Sequence, residues 1–204
     1  MALPESPQKM TEAEYLAFEH KSDVKYEYVD GEIFAMSGAS EIHNLIAAGI
    51  TAALLPRLRG KGCVTYPSDM KVRNPVTRTY MYPDVTVVCG DRQFDDEDRH
   101  VLLNPTVIFE VLSPSTESYD RGAKFRNYRR IPSLQVYVLV TQDQPVIECF
   151  TRQNENEWLL SVAEGSVSMM ELPFIGVALP LAEVYQQVEF TADEGLTVED
   201  DPPM

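Results

Sequence analysis

The chain is 204 residues long, 44% hydrophobic and 24% charged, proportions that suit one soluble domain built on a single core. No apolar run approaches the ~20 residues that a membrane-crossing helix needs, so no membrane partner is expected. Seventeen basic against 32 acidic residues give a net charge of −15, which repels nucleic acid at long range and argues against binding through charge alone.

Residues 1–10 read as a flexible lead-in. Met1-Ala2-Leu3-Pro4-Glu5-Ser6-Pro7 lacks the basic and apolar regions of a signal peptide, so a cytoplasmic location is expected. Thr11-Glu12-Ala13-Glu14 is a capping box that opens a helix to about His20. Two strand-like runs, 25–29 and 32–36, flank Asp30-Gly31, the signature of a two-residue hairpin. Ser40 caps a second helix, which runs through Ile42, Leu45, Ile46 and Ile50 to about Leu58, with Pro56 near its end and Gly60 and Gly62 beyond. Strands follow at 63–66, 70–73, 84–89 and 106–112.

After Ser113-Pro114-Ser115 the pattern predicts a helix over 120–130, ended by Ile131-Pro132, then strands at 134–140, 146–151 and 158–162. Residues 174–188 give a last strand and a short helix. The strand at 106–112, the helix and the strand at 134–140 suit a parallel crossover. The expectation is one α/β domain over 11–188: a central mixed β-sheet flanked by helices, with an N-terminal helix and β-hairpin. Residues 189–204 hold six acids and no Lys or Arg and read as a disordered tail. Without those six acids the balance is 17 basic against 26 acidic residues, a net −9. Another acidic run, Asp95-Asp96-Glu97-Asp98, reads as a solvated loop, whereas Arg121, Lys124, Arg126, Arg129 and Arg130 form a local basic stretch. Cys63, Cys89 and Cys149 show neither zinc-site spacing nor a disulfide framework and are expected to be buried, reduced thiols.

Asp84 and Glu110 each interrupt or border an apolar strand, where a carboxylate is costly unless it is paired or binds a metal. Mg²⁺ takes oxygen ligands and usually only one or two protein carboxylates, which these two supply if their strands are neighbours. Lys124 on the following helix could orient a water or stabilise developing negative charge. Each residue also has a bland reading: Asp84 satisfies backbone N–H groups at a turn after Pro83, Glu110 faces water on a sheet edge, and Lys124 is solvated. Other chemistries are weaker. Met36-Ser37-Gly38-Ala39-Ser40 lacks the glycines of a nucleophile elbow, and no Gly-rich phosphate loop is present.

Lys25-Tyr26-Glu27-Tyr28-Val29-Asp30-Gly31-Glu32, His43-Asn44, Pro83-Asp84-Val85, Val107 through Glu110-Val111-Leu112-Ser113-Pro114-Ser115-Thr116, and Asp120 through Lys124 to Tyr128 together resemble the Uma-two-type restriction endonucleases, a domain long without assigned function. The resemblance covers roughly residues 10–185. It implies the restriction-endonuclease-like fold of the PD-(D/E)XK superfamily, with Asp84 and Glu110 as the metal acids and Mg²⁺ or Mn²⁺ as cofactor. The simple motif has lysine two residues after the glutamate; here that residue is Leu112, and the resemblance places the lysine on the helix, at Lys124. Glu27 and His43 also match, Glu27 as a third carboxylate or a cross-strand ion pair, His43 as a base, a ligand or a packed helix residue.

The expected function is metal-dependent hydrolysis of nucleic acid, DNA in the first place, by a homodimer. The alternative is a nuclease-fold protein that binds nucleic acid or a protein partner without cutting. Deleting residues 190–204 is expected to raise affinity for DNA at low salt, as a tail that competes with phosphate requires. Unchanged binding in a filter or fluorescence assay overturns that expectation.

Overall fold

The computed structural model describes residues 9–96 and 99–190. The expected lead-in and acidic tail fall almost wholly on residues 1–8 and 191–204, outside these, as do Glu97 and Asp98 of the acidic loop. α1 (Glu12–Glu19) opens at its capping box: the Glu14 N–H donates to Thr11 Oγ1 at 3.3 Å and the Glu14 carboxylate accepts from the Thr11 N–H at 2.8 Å. β1 (Tyr26–Val29) and β2 (Glu32–Ala35) are joined through Asp30 and Gly31, at φ 52° and 89°, the left-handed backbone that a tight hairpin turn demands. α2 (Glu41–Arg57) starts at Ser40, whose Oγ accepts the His43 N–H at 3.1 Å, and has Pro56 in its last turn.

Six strands follow: β3 (Cys63–Pro67), β4 (Lys71–Asn74), β5 (Thr79–Met81), β6 (Val85–Cys89), β7 (Val101–Leu102) and β8 (Val107–Val111). The next helical segment is not the single regular helix expected. It is α3 (Glu117–Tyr119), a π-helical turn (Asp120–Lys124) and α4 (Phe125–Tyr128). β9 (Val136–Val140), β10 (Val146–Arg152), β11 (Trp158–Glu164), β12 (Met169–Leu172), β13 (Val177–Pro180) and α5 (Leu181–Val184) complete the order.

The expected mixed sheet is the six-stranded one, ordered β11-β10-β9-β8-β6-β3, in which β8 and β9 run parallel and the other pairs antiparallel. The crossover from β8 to β9 passes through the π turn and α4, as the chain order predicts. The hairpin instead belongs to a second sheet, β2-β1-β5-β4-β7, and β12 with β13 forms a separate pair.

Strand alternation sorts the large sheet into two faces. Val107, Phe109 and Val111 pack with Ile46, Ile50 and Leu54 of α2, whereas Ile108 and Leu112 pack with Tyr128, Ile131 and Tyr137. Glu110 lies between Ile108 and Leu112, on the face that the helical segment covers. Tyr15, Tyr28 and Tyr80 join α1 to the second sheet, with ring centroids 5.0–6.0 Å apart.

One expectation is corrected outright. Cys63 and Cys89 lie opposite each other in the β3–β6 register, with Cα atoms 4.0 Å apart, and form a disulfide; Cys149 alone is a buried free thiol. Their 26-residue separation looks unpatterned because the strand register, not the spacing, brings them together. A loop of this length makes the bond worth about 3 kcal/mol. Thiol titration of the unreduced, denatured chain should therefore find one reactive thiol, and reduction should lower the unfolding midpoint; three thiols before reduction would overturn the pairing.

Gly49 marks where α2 meets α5. A Cβ there would lie 2.2 Å from the Val184 carbonyl oxygen. Alanine normally improves a helix by about 1 kcal/mol, but Gly49→Ala should destabilise the protein by about 1–3 kcal/mol through forced separation of the helices. An unchanged urea midpoint would contradict this.

Candidate active site

The β6–β8 register pairs Val85 with Phe109, so the next residues outward, Asp84 and Glu110, face each other on the same side of the sheet. Asp84 is held from two directions. Its Oδ2 accepts the Val111 N–H at 2.7 Å, and its Oδ1 lies 2.9 Å from His43 Nε2. The reading of Asp84 as a backbone acceptor is thus realised, in addition to its place in the cleft. Glu110 does not sit on an edge: β8 is an interior strand, and the residue is 2% exposed.

Lys124 points inward. Its Nζ lies 3.0 Å from Glu110 Oε1, 3.3 Å from Glu27 Oε1 and 3.6 Å from Asp120 Oδ1. The solvated reading of this lysine is overturned; it is buried between the π turn and the sheet. Glu27 does not make a cross-strand ion pair within its hairpin. It accepts the Tyr82 N–H, just past the end of the neighbouring β5, at 3.2 Å. His43, in the first turn of α2, is packed and hydrogen-bonded, and its partner is Asp84. All five residues singled out in the sequence line one cleft of about 600 Å³.

The mouth of this cleft is formed by the Met36–Ser40 segment and the Ser113–Thr116 loop. Ser40 Oγ donates to Gln142 Oε1 at 2.8 Å, and Gln142 Nε2 donates to the Leu112 carbonyl at 2.7 Å, tying the start of α2 to the end of β8. The expected basic stretch is weaker than its sequence suggests. Arg121 pairs with Glu117 and Glu148, and Lys124 is buried, which leaves Arg126, Arg129 and Arg130 exposed.

Burial pushes the Glu110 carboxyl well above the usual range, and Lys124 only partly offsets this. Burial alone would lower Lys124, but Glu110 and Glu27 outweigh it and hold the ammonium charged. Burial likewise raises Asp120. One ammonium thus faces Glu27, Glu110 and Asp120, and burial weighs most heavily on Glu110.

Among the described residues no three His, Cys, Asp or Glu side chains converge as a ready-made metal centre. The donors still suit a hard divalent cation, which needs only one or two protein carboxylates. Asp84 and Glu110 face each other, and Glu110 Oε1 is a buried oxygen that accepts no aligned hydrogen bond despite its closeness to Lys124. Asp120 and Tyr119 also line the cleft and were not singled out in the sequence. The Tyr119 hydroxyl is buried without a hydrogen-bond partner. The available signal for Asp120 was its i,i+4 spacing from Lys124.

Comparison with known proteins agrees with this architecture. The family model for Uma2, described as "Putative restriction endonuclease", matches residues 12–182. Two uncharacterized proteins of Synechocystis sp. are similar: slr1290 is 36% identical over 182 residues, covering 89% of this chain and 94% of its own, and sll1609 is 33% identical over 168 residues, covering 82% and 95%. The crystal structure of a putative nuclease belonging to DUF820 from Anabaena variabilis superposes with a TM-score of 0.67 at 15% identity, covering 87% of this chain and 98% of that one, and so shares the fold. With the family model matched over most of its length, this chain belongs to the Uma2 family of restriction-endonuclease-like proteins.

Proposed function

We propose that the protein is a divalent-metal-dependent endonuclease that hydrolyses phosphodiester bonds, with DNA as substrate and Mg²⁺ or Mn²⁺ as cofactor. The observation that carries this reading is Glu110 facing Asp84 across β6–β8 with the Lys124 ammonium 3.0 Å away. Restriction-endonuclease-like enzymes generally use divalent metals, and Asp84 and Glu110 are the residues that would hold one here. When bound, such an ion supplies Lewis-acid neutralisation of the phosphate and a lowered pKa for water.

The chain's own groups divide the remaining work. Asp84 is kept in place by the Val111 N–H and His43, so its carboxylate is aimed before substrate arrives. Lys124 is fixed by Glu27, Glu110 and Asp120 and offers its N–H bonds to a phosphate oxygen or an attacking water. His43 is placed to orient Asp84. Glu27 fixes Lys124 and the backbone at Tyr82, a positioning role.

A binding-only reading has one observation in its favour: four carboxylates face the cleft against Lys124 and His43, so a bare polyanion is repelled. The same charge imbalance suits a cation that binds before the nucleic acid. The two readings separate in one assay. Nicking of supercoiled plasmid with Mg²⁺ or Mn²⁺ should be abolished by EDTA, and Asp84→Ala and Lys124→Ala should each reduce it by about 10²–10³-fold or more, with circular dichroism unchanged for Asp84→Ala and the less stable Lys124→Ala assayed below its lowered unfolding midpoint. Retained metal binding with no cutting of plasmid, single-stranded DNA or RNA would establish the binding-only reading. Cutting that survives Asp84→Ala would overturn the site.

A further inference from the structure

β11 is the outer strand of the six-stranded sheet, and its sequence, Trp158-Leu159-Leu160-Ser161-Val162-Ala163-Glu164, carries no charge before its last residue. Leu159, Leu160 and Val162 are 56%, 48% and 49% exposed. Natural edge strands are usually blunted by charge, proline or brevity. The opposite edge, β3, ends in Pro67; in the second sheet β2 carries Glu32 and β7 is two residues long. Among the edges of these two sheets β11 alone is long and apolar, and only its last residue is engaged outward, where the Glu164 carbonyl accepts the Ser168 hydroxyl.

We propose that β11 pairs antiparallel with β11 of a second copy, making a homodimer whose large sheet runs continuously through both protomers. The backbone fixes the register. Gln153 N–H donates to the Glu157 carbonyl and Gly165 N–H to the Pro145 carbonyl. With the β10–β11 register, these bonds turn the odd-numbered amides of β11 inward, so Trp158, Leu160, Val162 and Glu164 direct theirs outward. A twofold axis at Ser161 sets Trp158 against Glu164 of the second copy and Leu160 against Val162. It is the one antiparallel register that uses all four outward residues.

Side chains agree with that register. Opposed residues share a face, so the Leu160 and Val162 side chains of both copies form one patch beside Phe150. Arg152 stacks 4.4 Å over the Trp158 ring and bonds carbonyl oxygens of Leu134, Arg129 and Ile131. Among the described residues no carboxylate forms a salt bridge with it. The dyad brings the second copy's Glu164 opposite Trp158, on the same face as this guanidinium, and does so twice. Glu164 thus meets a guanidinium that already interacts with Glu155 of its own chain, and the pairing is made twice, as an isologous interface requires. Both clefts then open on the same side of the joined sheet.

The full-length chain should sediment as a dimer, and Leu160→Lys or Val162→Lys should convert it to a monomer with unchanged circular dichroism. Ser161→Cys should give a covalent dimer on mild oxidation, because opposed non-hydrogen-bonded residues lie about 4.5 Å apart. Leu159→Cys should not, since its twin is displaced by four residues, roughly 13 Å along the strand, beyond the ~7 Å a disulfide spans. A monomeric full-length protein overturns the proposal. So does a dimer indifferent to both lysine substitutions, or one that cross-links at 159 and not at 161.

Discussion

The ammonium of Lys124 has to serve three buried carboxylates at once, and much of the architecture around it follows from that demand. Removing a charge from water costs several kcal/mol per ion unless partners compensate, and here the partners come from three separate elements. Glu110 rises from the interior of the large sheet, Glu27 from the second sheet, and Asp120 from the same helical segment one turn earlier. None of these positions is tolerable alone, so the two sheets and the crossover segment are held to one another by charge as well as by apolar contact. Tyr128 and Tyr137, fully buried beside them, keep water out and deepen the electrostatic coupling.

The second sheet has a purpose beyond completing the fold. β1 presents Tyr28 to the tyrosine cluster on one face and Glu27 to Lys124 on the other, so a four-residue strand joins the packing of α1 to the cleft. Tyr82 extends the link: its N–H is bound by Glu27, and its hydroxyl donates to Glu19, which also pairs with the buried Lys71. A line of polar contacts therefore runs from α1 to the catalytic candidates without crossing solvent.

Much of this could be read from residues. The Thr11 box, the Asp30-Gly31 turn and the Ser40 cap each carry local signals strong enough to survive tertiary context, and all three appear where expected. Asp84 and Glu110 stood out because charge inside an apolar strand is costly wherever the strand lies. What was hidden is set by distance in the chain or by backbone irregularity. The three-residue β5 and two-residue β7 are too short for alternation to show, and their pairing is supplied by β4. The Cys63–Cys89 bond depends on register. Asp120 had only its spacing from Lys124 as a signal, and the π turn that places it, a widening that tends to occur at functional sites, is marked by no propensity.

The anchoring of Asp84 also removes conformational entropy before any ligand arrives. With one carboxylate oxygen fixed by a backbone N–H of β8 and the other by an imidazole on α2, its side chain surrenders its rotamers during folding. Immobilising such a side chain later, on binding, costs about 0.5–1.5 kcal/mol; that loss is already built into the folded state. The arrangement also makes the residue's length part of its chemistry. A glutamate at 84 would keep the charge yet displace both anchors, so α2, β8 and the cleft would have to readjust together for one added methylene.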